Sequence, residues 1–145
     1  MNYGRSTYNH TSKTTDSQKE STRKALLNNE FRQALNFAVD RSSYSAQTNG
    51  TEGAAVAIRN TFTPYNLPVG DKQFGKLVEE SLAKTNSGTW SNISLADSQN
   101  GLYNEEKAKA AFAKAKESLK AEGVEFPIHL DALTIQESTA VVNRV

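Results

Sequence analysis

Residues 29–41 read N-E-F-R-Q-A-L-N-F-A-V-D-R, from Asn29 to Arg41. Phe31, Ala34, Leu35, Ala38 and Val39 fall at i, i+3, i+4, i+7 and i+8, the spacing that lays one apolar stripe along a helix. Either Asn28 or Asn29 can cap its start, because a short amide side chain bonds the orphan N–H groups of a first turn. Arg32, Asn36 and Asp40 recur at four-residue intervals on the opposite face. The stretch therefore predicts a short amphipathic helix laid on a core. The segments on either side decide what kind of core it is.

Upstream, residues 2–9 read as a strand, with Tyr3 and Tyr8 supplying β-favouring bulk. Asp16 or Ser17 can cap a helix that gathers Ala25, Leu26 and Leu27. Downstream, the 29–41 helix continues or restarts through Ser43–Gln47 and ends at Asn49-Gly50, a pair that accepts positive φ. A smaller apolar stripe follows at Ala54, Ala55, Val56 and Ile58. Pro64, Pro68 and Gly70 mark residues 61–71 as an extended loop. Residues 71–84 read as a helix with Phe74, Leu77, Val78 and Leu82 inward. The Ser/Asn/Gly-rich stretch 85–101 holds the only tryptophan, Trp90, with Ile93 and Leu95 as anchors, as a loop of that length needs. Residues 104–122 predict the clearest helix: Asn104 caps it, Glu105 and Glu106 sit at its positive end, and Ala108, Ala111, Phe112, Ala115 and Leu119 form its stripe. Gly123 stops it. Residues 126–133 then alternate, with Ile128, Leu130 and Ala132 on one side and His129, Asp131 and Leu133 on the other, as in a half-buried strand. This order of elements predicts an α/β arrangement with a thin sheet.

Composition narrows the functional classes. The 145 residues suffice for one domain, and 17 basic against 16 acidic side chains leave a net charge of +1. No basic field is available for nucleic acid or an anionic membrane surface. No run approaches the ~20 apolar residues of a spanning helix. The chain has no cysteine, which excludes disulfides and thiolate metal sites. Residues 136–145 read as a helix that stops in mid-stripe, and Met1 is followed by no signal-peptide h-region. The expectation is a piece of a larger protein.

Catalytic chemistry finds little support. His10 and His129 have no companion at ligand spacing, so no metal site is predicted. No Gly-rich phosphate loop follows a strand, and no serine sits in a glycine-framed elbow. Glu79-Glu80 and Glu105-Glu106 are neighbours on helices and point about 100° apart, so neither pair can close on one scissile bond. They read as solvated helix faces, as does the lysine-rich face of residues 107–120, where Glu105, Glu106, Glu117 and Glu122 nearly neutralise the lysines. The reading is of a protein that is not an enzyme and needs no cofactor.

Three pieces in order carry a family resemblance: Tyr8-Asn9 at the end of the first strand, the Phe31–Arg41 helix, and Leu102–Ala115, L-Y-N-E-E-K-A-K-A-A-F-A-K-A, leading through Gly123 to Pro127-Ile128-His129-Leu130. Together they resemble the extracytoplasmic oligopeptide-binding proteins of ABC importers, the large streptococcal and lactococcal peptide-binding lipoproteins above all. The resemblance implies a helix-rich part of a type II periplasmic-binding-protein lobe with a small, incomplete sheet. Residues 1–145 would be a partial second lobe with no internal boundary. It further implies an oligopeptide ligand, an ABC permease as partner, and lipid anchoring at the outer face of a Gram-positive membrane. Peptide contacts map by resemblance to Arg5, Thr7, Gln47, Asn49, Gln136 and Glu137. Here Arg5 and Thr7 replace aromatic and acidic residues of enterobacterial members, and Gln47 replaces a lysine. General α/β logic, which gathers ligands at the carboxyl ends of strands, points to residues 7–9, Asn9 among them, and to residues 134–138. Arg32 and Asp40 read as structural anchors. An incomplete sheet exposes an edge, so self-association is expected. The alternative is a surface interaction or adhesin segment with no small ligand.

Overall fold

The computed structural model describes residues 5–85 and 88–132; Gln136, Glu137 and the helix expected at 136–145 lie outside these residues. Among these residues five helices and one small hairpin occur in the order α1 (Asp16–Leu27), α2 (Asn29–Ala38), α3 (Arg41–Gly53), β1 (Pro68–Val69), β2 (Lys72–Gln73), α4 (Phe74–Ala83) and α5 (Glu105–Ala121). Among the described residues the chain is helix-rich, and the hairpin is its whole sheet. Two compact units form, residues 5–35 with 108–132, and residues 36–107.

In the first unit, α1 starts at Thr15 rather than at Asp16 or Ser17. The Thr15 hydroxyl accepts from the Gln18 N–H, and the Gln18 side chain accepts from the Thr15 N–H. Only a cap at Thr15 puts Gln18 at the third helical position, where this reciprocal pair can close. Asn28 serves two helices. Its N–H bonds the Lys24 and Ala25 carbonyls at the end of α1, and its side-chain oxygen accepts from the Phe31 N–H at 2.9 Å. Arg32 donates to the Leu26 and Leu27 carbonyls at 2.9 and 2.7 Å, which makes it the structural anchor the sequence suggested. Phe31 packs into a core with Ala25, Ala115, Leu119 and Val124, and Leu35, Phe126 and Ile128 border it.

The apolar stripe of α2 is shorter than its spacing promised. Phe31 and Ala34 are buried, but Ala38 and Val39 are exposed, and Phe37 is fully buried instead. The helix ends at Ala38 because Asp40 caps a new one, its carboxylate accepting from the Ser42 and Ser43 N–H groups. Gly50, at φ 71°, breaks α3 where the Asn49-Gly50 pair was expected to stop it.

Among the described residues neither expected strand forms. The described residues 5–9 and 126–132 carry no ladder. Pro127 has no N–H to give, and the N–H groups of Ser12 and Lys13 go to the side chains of Asp131 and Thr11. Segment 122–129 is instead laced to α1. Lys24 Nζ bonds the Glu122 carbonyl, Ser21 Oγ accepts from the Glu125 N–H, and the Thr22 hydroxyl bonds the His129 carbonyl.

In the second unit the expected 61–71 loop contains β1, which pairs antiparallel with β2 across a Gly70-Asp71 turn. Gly70 has φ 59°, at the first central position, where a II′ hairpin turn calls for glycine. Trp90 packs on Phe37 with ring centroids 4.7 Å apart, and Leu95 is buried, so two of the three expected anchors, Trp90 and Leu95, hold residues 88–101, while Ile93 is half-buried. Lys107 departs from its solvated neighbours. Its Nζ bonds the Thr89 and Ser91 carbonyls at 3.0 and 2.7 Å and fixes the tryptophan loop. Glu79 likewise departs from the solvated reading, accepting from Tyr65 Oη, the Leu95 N–H and Lys76. Burial pushes its carboxyl up, but these donors outweigh that and hold it below its ordinary value.

Tyr65 lies directly over Gly75. A Cβ there would stand 1.9 Å from the ring, and the Gly75 N–H bonds the Tyr65 carbonyl. Gly75→Ala is expected to destabilise the chain by about 1–2 kcal/mol net, overpacking outweighing the helix propensity that alanine gains. Thermal unfolding checks it: a melting temperature equal to or above that of the parent would contradict this packing.

Candidate functional site

One face of α1 carries Lys19, Thr22, Arg23 and Leu26, at i, i+3, i+4 and i+7. All four line an open pocket of about 610 Å³ in the first unit. Arg5, Thr7, Tyr8, Asn9, His10 and Lys13 form a second wall, Leu130, Asp131 and Ala132 a third, and Leu35 of α2 contributes an apolar patch.

The Asp131 carboxylate organises the walls. It pairs with Arg5 and with Lys13 Nζ, the latter at 2.7 Å, and accepts from the Thr11 hydroxyl at 2.7 Å and from the Ser12 N–H and hydroxyl, each at 3.3 Å. Burial alone would raise its pKa. The donors, Lys13 first, overcome that and hold the carboxyl well below the usual carboxylate range. Lys13 is almost fully buried, its side chain 3 % exposed, so Asp131 is the counter-ion that makes its burial tolerable. Arg5 is equally committed. Its remaining nitrogens bond the Thr7 and His10 carbonyls, and its guanidinium lies 4.5 Å from the Tyr8 ring centroid, with Lys19 Nζ at 5.3 Å from the same ring. Tyr8 is thus a platform for two cations.

Of the residues singled out from sequence, Arg5, Thr7 and Asn9 come together in this pocket. Gln47 and Asn49 lie exposed on α3, in the other unit, where Asn49 donates to Ser45 Oγ. Tyr8, inside the 7–9 range named from sequence, joins Arg5, Thr7 and Asn9 in the pocket, whereas sequence reasoning missed Lys13, Lys19, Arg23 and Asp131. The α1 set was legible, since its spacing is that of a helix face. The Asp131 pairing was not, because it joins residues 118 or more positions apart. Among the described residues no group of three or more His, Cys, Asp or Glu could hold a metal ion, and no helix is long and apolar enough to cross a membrane.

Comparison with known proteins gives this geometry a context. The chain is 55% identical, over its whole length, to the oligopeptide-binding protein AmiA of Streptococcus pneumoniae. It is 53% identical to the oligopeptide-binding protein SarA of Streptococcus gordonii, again over its whole length. The chain is a relative of the streptococcal oligopeptide-binding proteins. A third, AliA of S. pneumoniae, is 54% identical across 99% of the chain. Each match covers 22% of the relative, so the chain spans about a fifth of the length of these oligopeptide-binding proteins. No family model matches the chain.

The depressed Asp131 pKa has a stability consequence of definite sign. A carboxyl whose folded pKa lies below its unfolded value of about 3.9 contributes stability that is fully present above that value. The contribution is lost as pH falls toward the folded pKa. Asp131→Asn should cost about 3 kcal/mol at pH 7, because it leaves Lys13 buried without a counter-ion. The gap between parent and variant should close as the pH falls from 5 to 2. Melting curves across that range check it; a gap independent of pH would contradict the network.

Proposed function

We propose that this chain is part of an extracytoplasmic solute-binding protein that captures oligopeptides and delivers them to an ABC transporter permease. Identity of 53–55% over 99–100% of this chain to three proteins that bear the name oligopeptide-binding carries the reading. Residues 1–145 then belong to the second lobe of a type II periplasmic-binding-protein fold. The intact protein is lipid-anchored at the outer face of a Gram-positive membrane and does no catalysis.

In this reading Arg5, Thr7, Asn9, Gln47, Asn49, Gln136 and Glu137 face the peptide. The convergence of Arg5, Thr7 and Asn9 on one pocket supports it. A peptide held mainly through its main chain, with roomy wet pockets for its side chains, binds with little regard to sequence. A cleft between two lobes needs both walls, so either wall alone retains little of the buried contact.

Calorimetric titration of the intact protein with mixed synthetic oligopeptides tests the proposal. The expected result is saturable binding by the intact protein and affinity at least about a hundredfold weaker for the isolated 145-residue chain, a difference of some 2.7 kcal/mol. Absence of binding by a folded intact protein would overturn the proposal.

A further inference from the structure

The pocket of the first unit has a composition that main-chain recognition does not need. Its lining includes the apolar side chains of Leu26, Leu35 and Leu130, and α1 contributes two cations one turn apart, Lys19 and Arg23. Among the described residues the single acid in its lining is Asp131, which is already saturated by Arg5, Lys13, Thr11 and Ser12. A carboxylate with every lone pair engaged offers an incoming anion little repulsion beyond its already neutralised charge.

Lys19 and Arg23 are held differently. Lys19 pairs with Asp16, whose side chain is 97% exposed, and Arg23 pairs with Glu20. Both are i,i+3 pairs on one exposed helix face, which water and salt weaken readily. Neither acid lines the pocket. Each cation can exchange its surface partner for a group inside the pocket by a rotamer change on a rigid helix, and Tyr8 already holds the Lys19 ammonium at the rim.

We propose that this pocket takes a peptide group in which a carboxylate adjoins an apolar side chain, the side chain resting on Leu26, Leu35 and Leu130 and the carboxylate meeting Lys19 and Arg23. The inference rests on the peptide-binding reading and adds a specificity to it. The carboxylate is that of a C-terminal residue or of an aspartate or glutamate beside an apolar residue. The chemistry at the rim is the same for both sources, a charge-assisted contact to a planar anion.

Three pools of synthetic hexapeptides separate the sources in titrations of the intact protein. Their interiors are randomised over residues other than Asp and Glu, and each ends in leucine. One pool has a free C-terminus, one is amidated, and one is amidated with a single glutamate before the leucine. A parallel series uses the Lys19→Gln/Arg23→Gln variant, whose substitutions lie outside the hydrophobic core cluster. The free-acid pool is expected to bind at least about tenfold tighter than the plain amidated pool, with the advantage abolished in the variant. Recovery of that advantage by the glutamate pool alone would also support the site and assign the carboxylate to a side chain. Equal affinity of all three pools, or a charge preference that survives in the variant, would overturn the inference while leaving peptide binding intact. Failure of every pool to bind would overturn the peptide-binding reading, and this inference with it.

Discussion

The first unit depends on one buried carboxylate. Lys13 is 6% exposed, and an ammonium so placed demands an anion within contact distance. Asp131 supplies it and gathers Arg5, Thr11 and Ser12 as well. Two segments from opposite ends of the described chain are thereby fixed side by side without a single ladder hydrogen bond. The pocket walls owe their positions to this junction, since α1 is tied to the same later segment through Lys24, Ser21 and Thr22.

The second unit repeats the device. Asp40 accepts from two backbone N–H groups at the start of α3 and from Asn100, 60 residues away. Glu79 accepts from Tyr65 and from the backbone of Leu95. Buried backbone and side-chain donors need partners. In a chain whose described sheet is a two-residue-per-strand hairpin, carboxylates supply partners that ladders would supply elsewhere. Each is satisfied from several directions, so each acts as a geometric clamp rather than as a reactive group. The clustered charges that read as solvated surface thus include the joints of the fold.

What the sequence disclosed, and what it hid, follows the range of the interactions. Local signals were legible: the Asn104 cap of α5, whose side-chain oxygen accepts from the Lys107 N–H, the turn at Gly123 with φ 73°, and Asn28 between two helices. So were the anchor roles of Arg32 and, through its cap on α3, of Asp40, which act within a few residues of their own positions; the Asn100 partner of Asp40, 60 residues away, was not. The α1 cap was displaced by one or two residues because only the Gln18 partnership distinguishes Thr15 from its neighbours. The strand expected at 2–9 was read from aromatic bulk and that at 126–133 from alternation, and neither signal can show that Asp131 would draw the facing segment's donors to its side chain. Of the pocket, Arg5, Thr7 and Asn9 were foreseen. Its cationic wall on α1 was visible as a helix face, but nothing local indicated what that face would look onto.

A double-mutant cycle between Lys13 and Asp131 tests the central constraint most directly. Lys13→Met, Asp131→Asn and the double variant would be compared with the parent by chemical denaturation at pH 7. A clamp of this kind predicts a coupling energy of about 1.5–3 kcal/mol, the double variant being more stable than the sum of the single losses allows. Additive losses within about 0.3 kcal/mol would show that the two groups do not depend on each other, and the account of the first unit and its pocket would fail.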